Sequence, residues 1–354
     1  MPVQLKSGRS AVDLDMSRLC NPLILTGNQP PALASPQAAV VDAMARPIGS
    51  MTLREEIQRR RARRVVIVVN DVTRPTPNDI ILPPILKEIA AAGIAKSDTT
   101  LVVATGIHRG VTRGEMAETL GADVVRDYPV VNHDCDDESG LVHMGRLSHG
   151  TEFYVNRIVY EAEMLVTTGV IGAHYFAGFS GGRKSIFPGV SGRASIEHNH
   201  SLMTSESAAV AALRGNPVSE EMIEAGRKVD VGFIVNVVVD AAGNVCAVVA
   251  GDMEQAWRDG VRMCRAISVT PIDRLFDAAI ASAGGYPKDI NVYQAQKALD
   301  NAQRAVRPGG TIVVVADCTE GFGEPTFERW MVESSSVDDI FARFADRFEL
   351  GGHK

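Results

Sequence analysis

Val65-Val-Ile-Val-Val69 is a run of five β-branched residues that stops at Asn70, and Asp71-Val-Thr-Arg-Pro-Thr-Pro77 follows at once. A continuous apolar run of this kind reads as a strand buried on both faces, as in a parallel sheet covered by helices. The pattern returns at Leu101-Val-Val-Ala104, which runs directly into Thr105-Gly-Ile-His-Arg109. Both strand ends therefore deliver charged or polar groups into loops, where open α/β sheets bind their ligands. The intervening residues 79–92 have the apolar spacing of a helix, with Pro83 and Pro84 expected near its first turn.

Working outward, the runs 164–168, 231–239 and 245–250 read as strands, alternating with helices over 219–228 and 252–265. Ser268-Val-Thr-Pro271 marks a boundary, beyond which 275–282 and 311–316 read as strands and 289–306 as a helix. The expected fold is α/β in two domains, a larger one over 1–268 and a smaller one over 269–354. Ser336 is an expected N-cap, followed by an apolar helix face of Ile340, Phe341, Phe344 and Phe348. Gly351-Gly-His-Lys354 then follows without a completed packing element.

With 354 residues and 45% hydrophobic content, the chain has ample length for a sizeable core, which excludes a disulfide-held miniprotein and a disordered chain. Its 36 Lys+Arg against 43 Asp+Glu leave a net charge of −7, which gives no global drive toward nucleic acid. Cys20, Cys135, Cys246, Cys264 and Cys318 are scattered with no CxxC pair, so reduced thiols are expected. The first twenty residues contain no secretory apolar region, and no stretch approaches ~18 consecutive apolar residues. A cytoplasmic protein without membrane or nucleic-acid partners is the expectation.

Seven of the eight histidines fall between His108 and His200, where an even spread would put about two. Such clustering favours a ligand or proton-transfer site, although His133, His143 and His149 lie in a polar interval that suits surface or supporting hydrogen bonds equally well. His108, at a strand end, is a feasible acid/base residue. The stretch Gly172-Ala-His-Tyr-Phe-Ala-Gly-Phe-Ser-Gly-Gly-Arg-Lys-Ser-Ile-Phe-Pro-Gly189 brings glycines that permit tight bends beside Ser180, Arg183, Lys184 and Ser185, which suit an anion. It is neither GxxxxGKS nor GxGxxG. His198 and His200 would point alike from a strand and apart from a helix, and admit either metal ligation or paired hydrogen bonding.

Arg74 can clamp a carboxylate and Asp71 can orient a histidine or a cofactor hydroxyl, although a loop-stabilising ion pair explains both equally well. Tyr293 and Lys297 are four apart and Gln294 and Lys297 three apart, so one helix face can offer Lys297 as a carboxylate contact and Gln294 as a directional donor. An ordinary solvated face accounts for the same spacing.

Taken together, Asp71-Val-Thr-Arg-Pro75, Gly106-Ile-His-Arg109, Gly172-Ala-His174, Ser180-Gly-Gly-Arg-Lys184, Glu197-His-Asn-His200 and Tyr293-Gln-Ala-Gln-Lys297 resemble the nickel-dependent lactate racemase family. The resemblance implies two α/β domains with an active-site cleft between them. It also implies a nickel-pincer nucleotide, pyridinium-3-thioamide-5-thiocarboxylic acid mononucleotide, attached covalently to Lys184 with His200 as the protein ligand to nickel. By the same matching His108 and His174 are the acid/base pair. Asp71, Arg74, Tyr293, Gln294 and Lys297 surround the substrate, Ser180, Arg183 and Ser185 contact the cofactor, and His198 is a supporting group. The implied activity is racemisation or epimerisation of a small 2-hydroxy acid, lactate by default, through a 2-oxo acid. Transient cofactor-biosynthesis proteins are the implied partners, and a non-enzymatic carrier of the cofactor is the alternative. Chains of this family continue beyond the position of Lys354, so the smaller domain is expected to be incomplete.

Overall fold

The structure, a computed structural model, describes residues 3–26, 28, 30–240, 242–349 and 351. His353 and its neighbours at 352 and 354 lie outside the described residues. The chain forms two compact units, Gly27–Val269 and Met1–Thr26 with Thr270–Lys354.

The larger unit is built on a six-stranded sheet in the order Val245–Gly251, Phe233–Val239, Met164–Val170, Val65–Asn70, Thr99–Ala104, Val130–Asn132. All neighbours are parallel except the first pair. The β-branched run of 65–69 takes the centre: Val65, Ile67, Val68 and Val69 are fully buried. Each such side chain stabilises the fold by about 1.5–3 kcal/mol relative to exposure. From this strand the chain builds outward to 99–104 and 130–132, then returns to the other side of 65–70 with 164–170 and builds the opposite way. The reversal of direction leaves a crevice beyond the carboxyl ends of 65–70 and 164–170, where open α/β sheets place their ligands.

The helix Asn78–Ala91 buries Ile81, Leu82, Ile85, Leu86 and Ile89 in the core of this unit. Pro83 and Pro84 sit in its second turn, not the first, because the helix already starts behind Pro77. Each proline removes one internal hydrogen bond, and the packed apolar face keeps the helix continuous through both. On the helix Gln255–Ser268, Ala256, Trp257, Gly260, Val261 and Cys264 form the buried stripe. No described helix is long and apolar enough to cross a membrane, and all five cysteines are free thiols.

In the smaller unit, Phe276–Ser282 and Val306–Val315 pair in parallel, with the helix Val292–Gln303 between them in sequence. Sequence reading grouped residues 1–26 with the larger domain, whereas the structure places them here. Their hairpin, Val3–Ser7 with Ser10–Leu14, is tied on by Tyr286 N–H donating to the Gly8 carbonyl (2.7 Å) and Gly8 N–H donating to Asp289 Oδ2 (2.7 Å). Those partners are some 280 residues away, beyond the reach of any local pattern. The expected helix after Ser336 spans Val337–Asp346, and the Ser336 hydroxyl accepts from Asp339 N–H.

Candidate functional site

The site begins at register. Asn70 pairs with Ala104, so the loops after these strands leave the sheet side by side. Asp71, 5% exposed, receives His108 Nδ1 at 2.6 Å through one oxygen. Its other oxygen accepts from the Thr73 amide and hydroxyl at 3.2 and 2.7 Å. Burial pushes the Asp71 carboxyl upward, but the hydrogen bonds from His108 and Thr73 and the charges of His108 and Arg74 outweigh it, and the net shift is downward. The carboxylate is therefore ionised at neutral pH, takes the Nδ1 proton of His108 as a hydrogen bond, and leaves Nε2 bare to accept a proton. Arg74 is exposed and donates to the Thr73 carbonyl and hydroxyl, both at 3.3 Å. Asp71, Arg74 and Asn78 line a recess of about 640 Å³ together with residues 118–124.

On the other flank of the central strand, 164–170 leads into a small hairpin in which Ala173–His174 pairs with Gly178–Phe179. Its turn brings Ala177 N–H to His174 Nδ1 at 3.3 Å. Phe176, 4% exposed, is the hub of this region. His174 and His200 meet its ring edge-on, with centroids 4.7 and 5.0 Å away, and Lys184 Nζ lies 5.7 Å from its centroid. One buried aromatic side chain thus gathers three residues spread over 27 positions of sequence.

The turn Gly182–Ser185 that carries Lys184 is held from below. Gly181 and Gly182 have φ of +74° and +51°, and a Cβ on Gly182 would lie 2.8 Å from the Trp257 ring. Arg183 is fully buried: it donates to the carbonyls of Ala177 (2.9 Å) and Phe179 (2.7 Å) and to the Ser219 hydroxyl (3.1 Å), and stacks 3.9 Å above Trp257. Burial, with a smaller contribution from the Arg258 charge, pushes its pKa down to about 9, which still leaves a cation at neutral pH. Ser180 Oγ donates to Val170 O at 2.9 Å and accepts from Gly172 N–H at 2.8 Å, while Ser185 Oγ donates to Thr168 O at 3.0 Å. The side chains of Ser180, Arg183 and Ser185 are thus engaged within the loop and the strand beneath it. Lys184 alone among residues 181–187 is not buried. The Gly106 amide donates to the Gly189 carbonyl (3.0 Å), which fastens this loop to the one bearing His108.

His198 and His200 lie on the helix Arg193–Ser201 and point apart. His198 Nδ1 meets Thr151 Oγ1 at 2.8 Å, and His200 faces Phe176. His133 is buried, with Nε2 donating to Ser191 O at 2.9 Å, and burial lowers its pKa. His143 and His149 are exposed and pair with Glu152 (2.8 Å) and Glu220 (3.1 Å). Asp134, Cys135 and Asp136 place ligand-type atoms within 4.8 Å of one another, a spacing that could hold a metal ion. The Cys135 thiol, however, is pushed up to about 11 by burial, and Asp136 is held by two bonds from Arg193 at 2.6 and 2.7 Å. A protonated thiol and an ion-paired carboxylate are poor competitors for a metal.

In the smaller unit, Asn291 caps the helix 292–303, and Lys297 Nζ donates to Gln294 Oε1 at 2.5 Å, so the two side chains share one edge of that helix and bond to each other. Tyr293 turns its ring against Phe327 (5.5 Å), and burial with the Glu324 charge pushes its hydroxyl up to about 12.

Phe176, Asn236, Trp257 and Glu221 were not singled out from the sequence. Asn236 accepts from Gly182 N–H at 2.7 Å and Trp257 Nε1 donates to Ser180 O at 2.9 Å, so both shape the Lys184 turn. A polar Asn within the apolar run 233–239 was the available signal for the first of these.

Two histidines and a partly exposed lysine thus stand at the carboxyl edge of a mostly parallel sheet, in an α/β protein. Residues 7–212 match the lactate racemase N-terminal domain and residues 273–349 the lactate racemase C-terminal domain. The chain is 35% identical to the lactate racemase of Thermoanaerobacterium thermosaccharolyticum over 315 residues, covering 88% of this chain and 73% of the relative. It is 38% identical to that of Lactiplantibacillus plantarum over 308 residues, 86% and 71% of the two chains. The structure of the T. thermosaccharolyticum apoprotein superposes with a TM-score of 0.89 at 33% identity, covering 98% of this chain and 82% of that one. A Thermotoga maritima protein shares the fold alone, with a TM-score of 0.65 at 17% identity. The chain belongs to the lactate racemase family.

Proposed function

We propose that this protein interconverts the stereoisomers of a 2-hydroxy acid, lactate being the default substrate. The observation that carries the reading is the pair of histidines, His108 and His174, set beyond the ends of 99–104 and 164–170, the two strands that flank the central strand 65–70.

The family resemblance implies a nickel-pincer nucleotide, and the donor set is suited to one. Lys184 offers the one accessible amine of an otherwise buried turn, and His200 offers an imidazole, a good nickel ligand, beside the same Phe176 ring. Lys184 would hold the group covalently and His200 would ligate the metal. Bound there, such a group supplies a reversible acceptor for the hydrogen on C2.

The chain's own residues do the rest. His108 accepts the hydroxyl proton at Nε2, and Asp71 holds the ring and stabilises the imidazolium that results. His174 handles the hydroxyl proton for the opposite stereoisomer. Arg74 anchors the substrate carboxylate, a role that the charge and hydrogen-bonded pairing of Lys297 and Gln294 also suit, with Tyr293 beside them. Ser180, Arg183 and Ser185 serve the cofactor by fixing the turn from which Lys184 projects.

The test uses protein matured with the cofactor-making proteins. Peptide mapping is expected to find an adduct on Lys184 with about one nickel per chain, and chiral analysis is expected to find racemisation of a 2-hydroxy acid. An active protein with unmodified Lys184 would overturn the cofactor assignment, and a loaded protein inert toward every 2-hydroxy acid would overturn the activity.

A further inference from the structure

The helix Arg193–Ser201 carries His200 close to its end, so the rotational setting of that helix decides where the imidazole points. We propose that Glu221 is the positioning residue that fixes this setting, and so holds His200 in its metal-binding orientation. The inference rests on the reading of His200 as the metal ligand.

Glu221 is fully buried on the helix Pro217–Lys228. Its Oε1 accepts from the amides of His149 (3.0 Å) and Thr151 (3.2 Å). Its Oε2 accepts from the Thr151 hydroxyl (2.5 Å) and from Asn199 Nδ2 (3.1 Å). Four neutral donors thus converge on one buried carboxylate. Thr151 has a single hydroxyl proton and gives it to Glu221, so at Thr151 Oγ1 the 2.8 Å contact with His198 Nδ1 must be a bond donated by the imidazole. The two residues immediately before His200 are thereby fastened to one carboxylate, Asn199 directly and His198 through Thr151. Asn199 also donates to Val218 O at 3.3 Å, which locks the same helix face to the same neighbour. With residues 198 and 199 fixed, His200 falls on the face that meets Phe176.

The experiment follows nickel release from cofactor-loaded protein into a chelator, at a temperature where circular dichroism reports every variant folded. Glu221→Gln and Thr151→Val should release nickel roughly 10–100-fold faster than wild type, the usual effect of removing a group that orients a ligand. Thr151→Ser, which keeps the hydroxyl, and Glu220→Gln, on the exposed side of the helix, should match wild type. If Glu221→Gln does not fold, the contrast of Thr151→Val with Thr151→Ser decides alone. Wild-type release from Thr151→Val, or from a folded Glu221→Gln, would overturn the proposal. His200→Ala separates the two readings: rapid release there with none in the Thr151→Val variant sinks only the positioning role, while unchanged release from His200→Ala removes the metal-site assignment and this proposal with it.

Discussion

The loops at 105–109 and 172–178 each present a histidine from the end of a parallel strand, yet they load its proton differently. His108 gives its Nδ1 proton to an anionic carboxylate, Asp71, at 2.6 Å. His174 receives a backbone N–H at Nδ1, from Ala177 at 3.3 Å. An anion thus holds the ring proton of His108 on Nδ1 and leaves Nε2 bare, whereas the Nδ1 contact of His174 is longer and comes from a neutral amide, which holds one tautomer less firmly. The comparison teaches that two identical side chains are held with different firmness by what lies behind them.

The largest expected effect comes from removing the anion on the His108 side. Asp71→Asn keeps the shape but offers no charge to the imidazolium, and its amide can turn the tautomer around. A fall in kcat of roughly 10²–10⁴ is expected in chiral assays, with folding intact. The equilibrium constant between enantiomers is unity, so kcat/KM must drop equally in both directions. A variant with wild-type kcat would reduce Asp71 to a loop-stabilising residue.

On the other side the support is a buried cation. Arg183→Met removes donors to the Ala177, Phe179 and Gly181 carbonyls and the Ser219 hydroxyl, and should lower stability by roughly 3 kcal/mol in denaturant titration. Slower attachment of the cofactor to Lys184 should accompany it. Unchanged stability would mean that the glycine turn holds itself.

The smallest effect concerns His133, which is buried and neutral. Its folded pKa lies below the ordinary value of about 6.5, so the unfolded chain takes up the proton first as pH falls. The stability that His133 contributes is complete above about pH 6.5 and is lost as pH drops through that value. Wild type should lose on the order of 1 kcal/mol more than His133→Gln between pH 7 and 5, read from unfolding midpoints.

Much of this was legible in the sequence, for reasons that differ by residue. The central strands announced themselves because burial on both faces demands unbroken β-branched runs, and Asp71 and His108 stood out because they follow such runs within a few positions, whereas the role of His174 came from the family resemblance alone. Lys184 was legible through the glycines around it. What stayed hidden depends on long-range geometry. The sequence left open whether Asp71 orients a histidine or pairs with Arg74, and only strand register joined it to His108. Ser180, Arg183 and Ser185 suit an anion by composition, but folding turns their polar atoms onto backbone carbonyls. Glu221 looks like any glutamate on an amphipathic helix until residues 149–151 and 199 close around it.

The central claim is the division of labour between His108 and His174, and single-turnover formation of the 2-oxo acid from each separate enantiomer tests it most directly. His108→Ala and His174→Ala, both folded and cofactor-loaded, should each lose the reaction with one enantiomer and retain it with the other, and the two losses should be complementary. If both variants retain the reaction with both enantiomers, or both fail with the same one, the two histidines do not divide the proton transfer between the faces of the substrate.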